Sequence, residues 1–319
     1  MGFLLHPDAP LHDTGWRHPE HQGRLRALAS TVGRDLLALH EKVIQVEPGQ
    51  VAEEDLLRVH TPEYLALLRA HVDRAEKEGA PVSLDADTMV SAASWGAATG
   101  STAALLTAAG QVADGTLSSA FVATRPPGHH ATPERAMGFC LINHVAVAAR
   151  WLQATGRAER VLIVDWDVHH GNGTQDTFYA DGTVFYLSLH QSPHYPGTGP
   201  ADETGTGAGE GWTLNVPLPA GTSVADYRQH FSDALEQGLE TCRPDFILIS
   251  AGFDVMAGDP LGGMLLEPED LHALTREVMA GAAGGAGVVA ALEGGYDPAR
   301  TGLGAAAVLR ALAGIDRLG

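Results

Sequence analysis

Apolar residues recur every three or four positions over residues 22–39, where Leu25, Leu28, Val32, Leu36 and Leu39 share one face, and this spacing predicts an amphipathic helix. The same period returns over 63–78 and 92–109, and further helices are expected over 143–154, 224–241, 269–280 and 302–312. Between them lie apolar runs too short for helices and rich in Val, Ile and Phe, at 120–123, 161–164, 184–189, 246–249 and 288–292. Continuous rather than alternating hydrophobicity implies strands covered on both faces, hence a parallel sheet in a three-layer α/β fold. No linker or repeat divides the chain, so one domain over 1–319 is expected, and the Gly- and Pro-rich stretch 191–211 is its longest loop.

Composition narrows the function classes. The 319 residues hold 20 basic against 39 acidic side chains, a formal charge of −19 that disfavours nucleic acid and anionic membrane and favours cationic substrates or basic protein segments. Cys140 and Cys242 are the only cysteines and lack metal or redox spacing, which fits a reducing compartment such as the cytoplasm. No targeting signal opens the chain, and its most apolar late segment, 278–292, is too short and Gly-rich to span a bilayer.

Each strand run ends in polar residues. Arg125-Pro126-Pro127-Gly128-His129-His130 follows the first, Asp165-Trp166-Asp167-Val168-His169 the second and His190 the third; Ser250-Ala251-Gly252-Phe253-Asp254 and Glu293-Gly294-Gly295-Tyr296 follow the last two. Carboxyl ends of parallel strands line the ligand crevice, so these five segments should converge on one pocket. Asp167 and His169 read as two ligands of a divalent first-row ion, and Asp254 as the third, which leaves coordination positions for water and substrate. Each alone could equally be a capping carboxylate or a surface imidazole; five polar strand ends together favour the metal. Beside a metal, His129 and His130 could move the proton of a bound water, and Tyr296 could donate to a developing oxyanion. Asp165 caps the turn or orients His129. Phe139, after Gly138, and Tyr195 sit in Gly- or Pro-flanked loops, where they either pack in the core or form a slot for an alkyl chain.

The chain resembles the histone deacetylase superfamily, which also contains acetylpolyamine amidohydrolases and acetoin-utilisation proteins. The resemblance runs through His18-Pro19-Glu20 with Arg24-Leu25, RPPGHHA (125–131), GFCLINHVAVAA (138–149), VDWDVHHGNGTQ (164–175), SLHQSPHYPGTG (188–199), SAGFDVMAGDPLGG (250–263) and LEGGY (292–296), nearly the whole chain. It implies the arginase-deacetylase fold, an eight-stranded parallel sheet between helices, and one catalytic zinc on Asp167, His169 and Asp254. It also implies His130 as general base and acid, His129 as its electrostatic partner and Tyr296 as oxyanion donor. Gly138, Phe139, Tyr195 and Leu261 become the walls of a tunnel. A structural potassium would use Asp165, Ser188 and Leu189 with backbone carbonyls of Asp167 and His169.

Asn172 stands where class I members carry an aspartate paired with the second histidine, so the chain resembles the class II and bacterial branch. The implied reaction is zinc-dependent hydrolysis of an acyl amide, with an acyl-lysine peptide or a small acylated amine as substrate. Deacylation of the ε-amine of lysine is the first reading and acetylpolyamine hydrolysis the second. Polyamine-selective members carry a glutamate at the position of Leu261, which favours lysine amides here. The acid that grips substrate ahead of the first motif is Asp85 or Asp87.

Overall fold

A computed structural model describes residues 1–317, the side chain of residue 36 excepted. The strands are β1 (Gly2–Leu4), β2 (Ile44–Gln45), β3 (Val82–Ser83), β4 (Met89–Val90), β5 (Ala120–Val122), β6 (Val161–Asp165), β7 (Val184–Gln191), β8 (Thr213–Leu218), β9 (Phe246–Ala251) and β10 (Gly287–Leu292). The helices are α1 (Gly23–Arg34), α2 (Leu36–Leu39), α3 (Glu53–Leu56), α4 (Pro62–Glu78), α5 (Ser94–Ala113), α6 (His144–Ala154), α7 (Asn172–Phe178), α8 (Val224–Cys242), α9 (Pro268–Gly281) and α10 (Pro298–Leu312). Eight strands form one parallel sheet in the order β2-β1-β5-β10-β9-β6-β7-β8, and β3 pairs with β4 as a separate antiparallel hairpin.

Successive side chains of each central strand enter opposite layers. Val161 and Ile163 of β6 pack with α4, α5 and α6, whereas Leu162 and Val164 pack with α1, α8, α9 and α10. Burial on both faces is the physical reason these strands read as unbroken apolar runs. All five expected strands are present and parallel, and the three-layer architecture holds. β1 and β2 are too short to show a pattern. β8 contains Asn215 and Pro217, which a central strand would exclude; at the sheet edge its only partner is β7, and proline is tolerated there.

The expected helix over 22–39 is interrupted. α1 stops at Arg34 because the N–H of Asp35 closes onto the carbonyls of Thr31 and Val32, and the Asp35 carboxylate takes Arg310 of α10 at 2.9 and 3.0 Å. Leu25 and Leu28 face the core as the periodicity requires, while the side chain of Leu36 lies outside the described residues. The long loop after β7 contains one 3-10 turn, Gly207–Gly209. Cys140 and Cys242 are buried and unpaired, and no helix among the described residues is long and apolar enough to cross a membrane.

Two helix starts position the pocket. Asn143 caps α6 by accepting from Ala146 N at 3.0 Å, and its amide donates to Ala131 O and Thr174 Oγ1, tying the helix to the turn that carries the tandem histidines. Asp297 caps α10 by accepting from Arg300 N at 2.9 Å, and Pro298 opens the helix, which ends the Gly294-Gly295-Tyr296 turn at a fixed point.

Candidate active site

The turn after β6 brings three carboxylates and three imidazoles within reach of one another. Asp165, the last residue of β6, accepts the N–H of Asp167 on Oδ1 at 3.1 Å, and its Oδ2 meets His129 Nδ1 and the hydroxyl of Tyr186, both at 3.0 Å. Asp167 Oδ1 accepts from the backbone of His169 at 3.0 Å and lies 3.0 Å from its Nδ1, while Oδ2 accepts from Gly294 N at 2.8 Å. Asp254, delivered by β9, accepts from Val168 N on Oδ1 at 2.9 Å. Its Oδ2 is 3.2 Å from His169 Nδ1, yet it is fully buried and receives no hydrogen bond.

Donor atoms of Asp167, His169 and Asp254 lie within 4.8 Å of one another. An orphaned, buried carboxylate oxygen is costly unless a cation meets it, and the donor set of two carboxylates and one imidazole suits a divalent ion. Glycine keeps the space clear: a Cβ on Gly294 would stand 2.0 Å from Asp254 Oδ2, and one on Gly252 would stand 2.3 Å from Asp167 Oδ2. The electrostatics also call for positive charge. Burial opposes a charged imidazole, but the contact with Asp167 and the charges of Asp167 and Asp254 outweigh it and raise His169 to about 10. Burial and the Asp167 charge together push Asp254 up.

The neighbouring histidines diverge. Burial would lower His129, but Asp167 and the hydrogen-bonded Asp165 raise it to about 10. His130 is driven well below its ordinary value, first by burial and then by the positive charges of His129 and His169. Its Nδ1 meets the amide oxygen of Asn172 at 2.9 Å, an arrangement that makes Nδ1 the donor and leaves Nε2 a basic nitrogen. Below the pair, Glu293 accepts from Gly128 N at 2.6 Å and His129 N at 3.2 Å; its burial raises it to about 7.

Above the floor opens a cavity of about 490 Å³ lined by Gly138, Phe139, Tyr195, Leu261 and Tyr296, with Asp87, Gln191 and His194. Phe139 sits at φ 67°, a strained conformation for an aromatic residue, which its surroundings enforce. Its N–H donates to Thr88 Oγ1 at 3.1 Å, and Gly138 N donates to Asp87 Oδ1 at 3.2 Å, so the β3–β4 hairpin holds the loop. The Phe139 ring meets Tyr296 edge-on at 5.6 Å, and Tyr195 meets His130 edge-on at 5.3 Å. Gly138 is required because a Cβ there would stand 2.3 Å from the His130 ring. Asp87 lines this cavity and Asp85 does not, a distinction that the residues alone leave open.

Of the expected residues, His130, Gly138, Phe139, His169, Tyr195, Leu261 and Tyr296 line this cavity, whereas His129, Asp165, Asp167, Asn172 and Asp254 are buried and do not line it. At the ends of β6 and β7, Asp165 and Ser188 are register neighbours and both are buried, whereas the Leu189 side chain enters the opposite core layer and offers only its backbone. Reading the residues misses His194, whose ring stacks on His169 at 4.9 Å and whose Nε2 bonds Leu261 O at 2.8 Å. It also misses Arg24, which reaches Gly295 O at 2.5 Å and lies over the Tyr296 ring at 5.0 Å, held by Glu20 at 2.9 Å. Asp259 escapes notice too. Motif membership was the only signal for these residues, because their partners are distant in sequence.

Comparison with known proteins identifies the family. Residues 18–312 match the histone deacetylase domain. The chain is 36% identical over 321 residues to a probable deacetylase of Archaeoglobus fulgidus, covering 99% of this chain and 87% of that protein. It is 38% identical over 303 residues to histone deacetylase 15 of Arabidopsis thaliana, covering 93% of this chain but 53% of that longer protein. The crystal structure of the HDA15 HD domain shares the fold with a TM-score of 0.90 at 35% identity, over 98% of this chain and 90% of that one. The eight-stranded parallel sheet between helices is the arginase-deacetylase fold, and the chain belongs to the histone deacetylase family of hydrolytic enzymes.

Proposed function

We propose that the protein is a single-domain, zinc-dependent amidohydrolase that removes acetyl or another short acyl group from the ε-amine of lysine, in a peptide or a small molecule. The observation that carries this reading is the orphaned Asp254 Oδ2 facing His169, which lines a narrow cavity walled by Phe139 and Tyr195. Asp167, His169 and Asp254 would hold the ion, which when bound supplies Lewis acidity to the acyl carbonyl and to water. Potassium would sit beside Asp165 and Ser188, with backbone carbonyls of Asp167, His169 and Leu189.

The chain's own groups then divide the proton chemistry. His130, neutral at its Nε2, takes a proton from the attacking water and later gives it to the leaving amine. His129 stays protonated against Asp165 and keeps positive charge beside the reacting centre. Tyr296, whose phenol burial holds well above its ordinary value, remains a donor and hydrogen-bonds the developing oxyanion. Phe139, Tyr195 and Leu261 enclose the alkyl stem of the substrate lysine, and Asp87 faces its backbone at the mouth.

Acetylpolyamine hydrolysis would need a group to offset the ammonium inside the tunnel, and Leu261 cannot supply one. A turnover panel tests the choice. We expect kcat/KM for an acetyl-lysine peptide to exceed that for acetylspermidine; an enzyme that prefers acetylspermidine to every lysine substrate overturns the lysine reading. Elemental analysis beside turnover separates an enzyme from a non-catalytic binder.

A further inference from the structure

The Tyr296 hydroxyl has to meet an oxyanion whose place is set by the floor and walls, so something must fix Tyr296 relative to the wall that seats the substrate. Hydrogen bonds from several residues hold its turn, among them Phe253 N to Gly294 O at 3.0 Å. Gly294 N donates to Asp167 Oδ2 at 2.8 Å, Arg24 Nε donates to Gly295 O at 2.5 Å, and Tyr296 N donates to Asp259 Oδ2 at 2.6 Å. The last differs from the others because the same carboxylate also holds the wall. Asp259 Oδ1 accepts from Leu261 N at 2.9 Å, while Oδ2 also accepts from Asp297 N, the cap of α10, at 3.2 Å.

We propose that Asp259 is a positioning residue that sets the spacing between the Tyr296 phenol and the Leu261 wall, so that the fit of the acyl-lysine stem and oxyanion stabilisation depend on one carboxylate. Three backbone donors converge on this buried group, from two loops 37 positions apart at the Tyr296 contact. The wall is not otherwise loose: His194 Nε2 bonds Leu261 O at 2.8 Å, and Gly263 N donates to Gln191 Oε1 at 2.8 Å, which joins the 260–263 segment to the end of β7. The wall therefore moves with β7, and Asp259 is the direct link from it to the Tyr296 turn. Glycine 295, at φ 116°, cannot supply the rigidity itself, and a Cβ there would stand 2.7 Å from Phe253. Asparagine at 259 would set an N–H₂ against one of these N–H donors and open the link on that side.

The inference rests on the proposed role of Tyr296, and a double-mutant cycle with an acetyl-lysine peptide separates the two. Asp259→Asn is expected to lower kcat by roughly ten- to a hundredfold, as for a catalytic group displaced by about an ångström, and to raise KM severalfold as the Leu261 wall shifts, with zinc content little changed. In a Tyr296→Phe background, the same change should lower kcat by less than about twofold, because the donor it positions is gone. Asp259→Asn should also change the ratio of butyryl- to acetyl-lysine turnover, which loss of overall stability would leave alone.

If the two losses multiply in the double variant, Asp259 acts apart from Tyr296 and the proposal fails. A Tyr296→Phe enzyme with normal kcat instead removes the mechanism on which it rests. Asp259→Glu, which keeps the buried charge but displaces it by one methylene, takes the same cycle should the asparagine variant not fold. Loss of the thermal transition in both variants assigns Asp259 to folding alone and overturns the proposal.

Discussion

The floor and the walls of the pocket are built by different means. On the floor, Asp165, Asp167 and Asp254 sit at or just past the ends of the buried central strands β6 and β9, and five of their six oxygens are engaged by hydrogen bonds, several of them from residues distant in the chain. The walls are loops. Phe139 sits at positive φ against the turn of the two-stranded β3–β4 hairpin, Tyr195 is 38% exposed, and Leu261 hangs from Asp259 and His194. Strand ends move little, so the floor suits chemistry that needs fixed distances. Loops change length and side chain at low cost to the core, so the walls are where substrate choice resides.

The hardest test of that division is Asp254→Ala. It removes a carboxylate whose buried Oδ2 takes no hydrogen bond, and we expect most of the bound zinc and all measurable turnover to be lost while the thermal transition persists. Full zinc occupancy by elemental analysis would contradict the ligand assignment. Next in size is Tyr296→Phe, expected to lower kcat by roughly a hundredfold with zinc retained and KM little changed, since the hydroxyl acts chiefly in the transition state. A change confined to KM makes Tyr296 a wall residue rather than part of the reacting floor.

A smaller effect comes from Asn172→Asp. His130 must be neutral to accept a proton, and its lowered value places the ascending limb of kcat/KM against pH below the ordinary histidine range. A carboxylate at 172 favours imidazolium and raises His130, so the limb shifts to higher pH: activity falls on the acid side and the alkaline plateau is kept. A profile that does not move removes His130 as the base. The smallest effect lies in the wall, where Leu261→Glu should shift the kcat/KM ratio several-fold toward acetylspermidine without altering zinc content. Loss of zinc in that variant would show that wall and floor are not separable.

What the residues show unaided is local or periodic. Unbroken apolar runs disclose the parallel sheet because a strand buried on both faces has no polar side, and the polar strand ends disclose the floor because parallel strands deliver their last residues to one edge. Asp167 and His169 are two positions apart, and Asp254 reaches them because the structure places β9 beside β6. Only the tertiary structure decides that Asp87 rather than Asp85 lines the cavity, that burial and neighbouring charge push His129 up and His130 down, and that β1, β2 and β8 complete the sheet. Arg24 and Gly295 are 271 positions apart, and Asp259 and Tyr296 are 37 apart. Contacts of that kind have no period and no local spacing; they exist because packing two layers of helices against one sheet brings distant loops to the same edge, where burial and neighbouring charge then set each group's protonation.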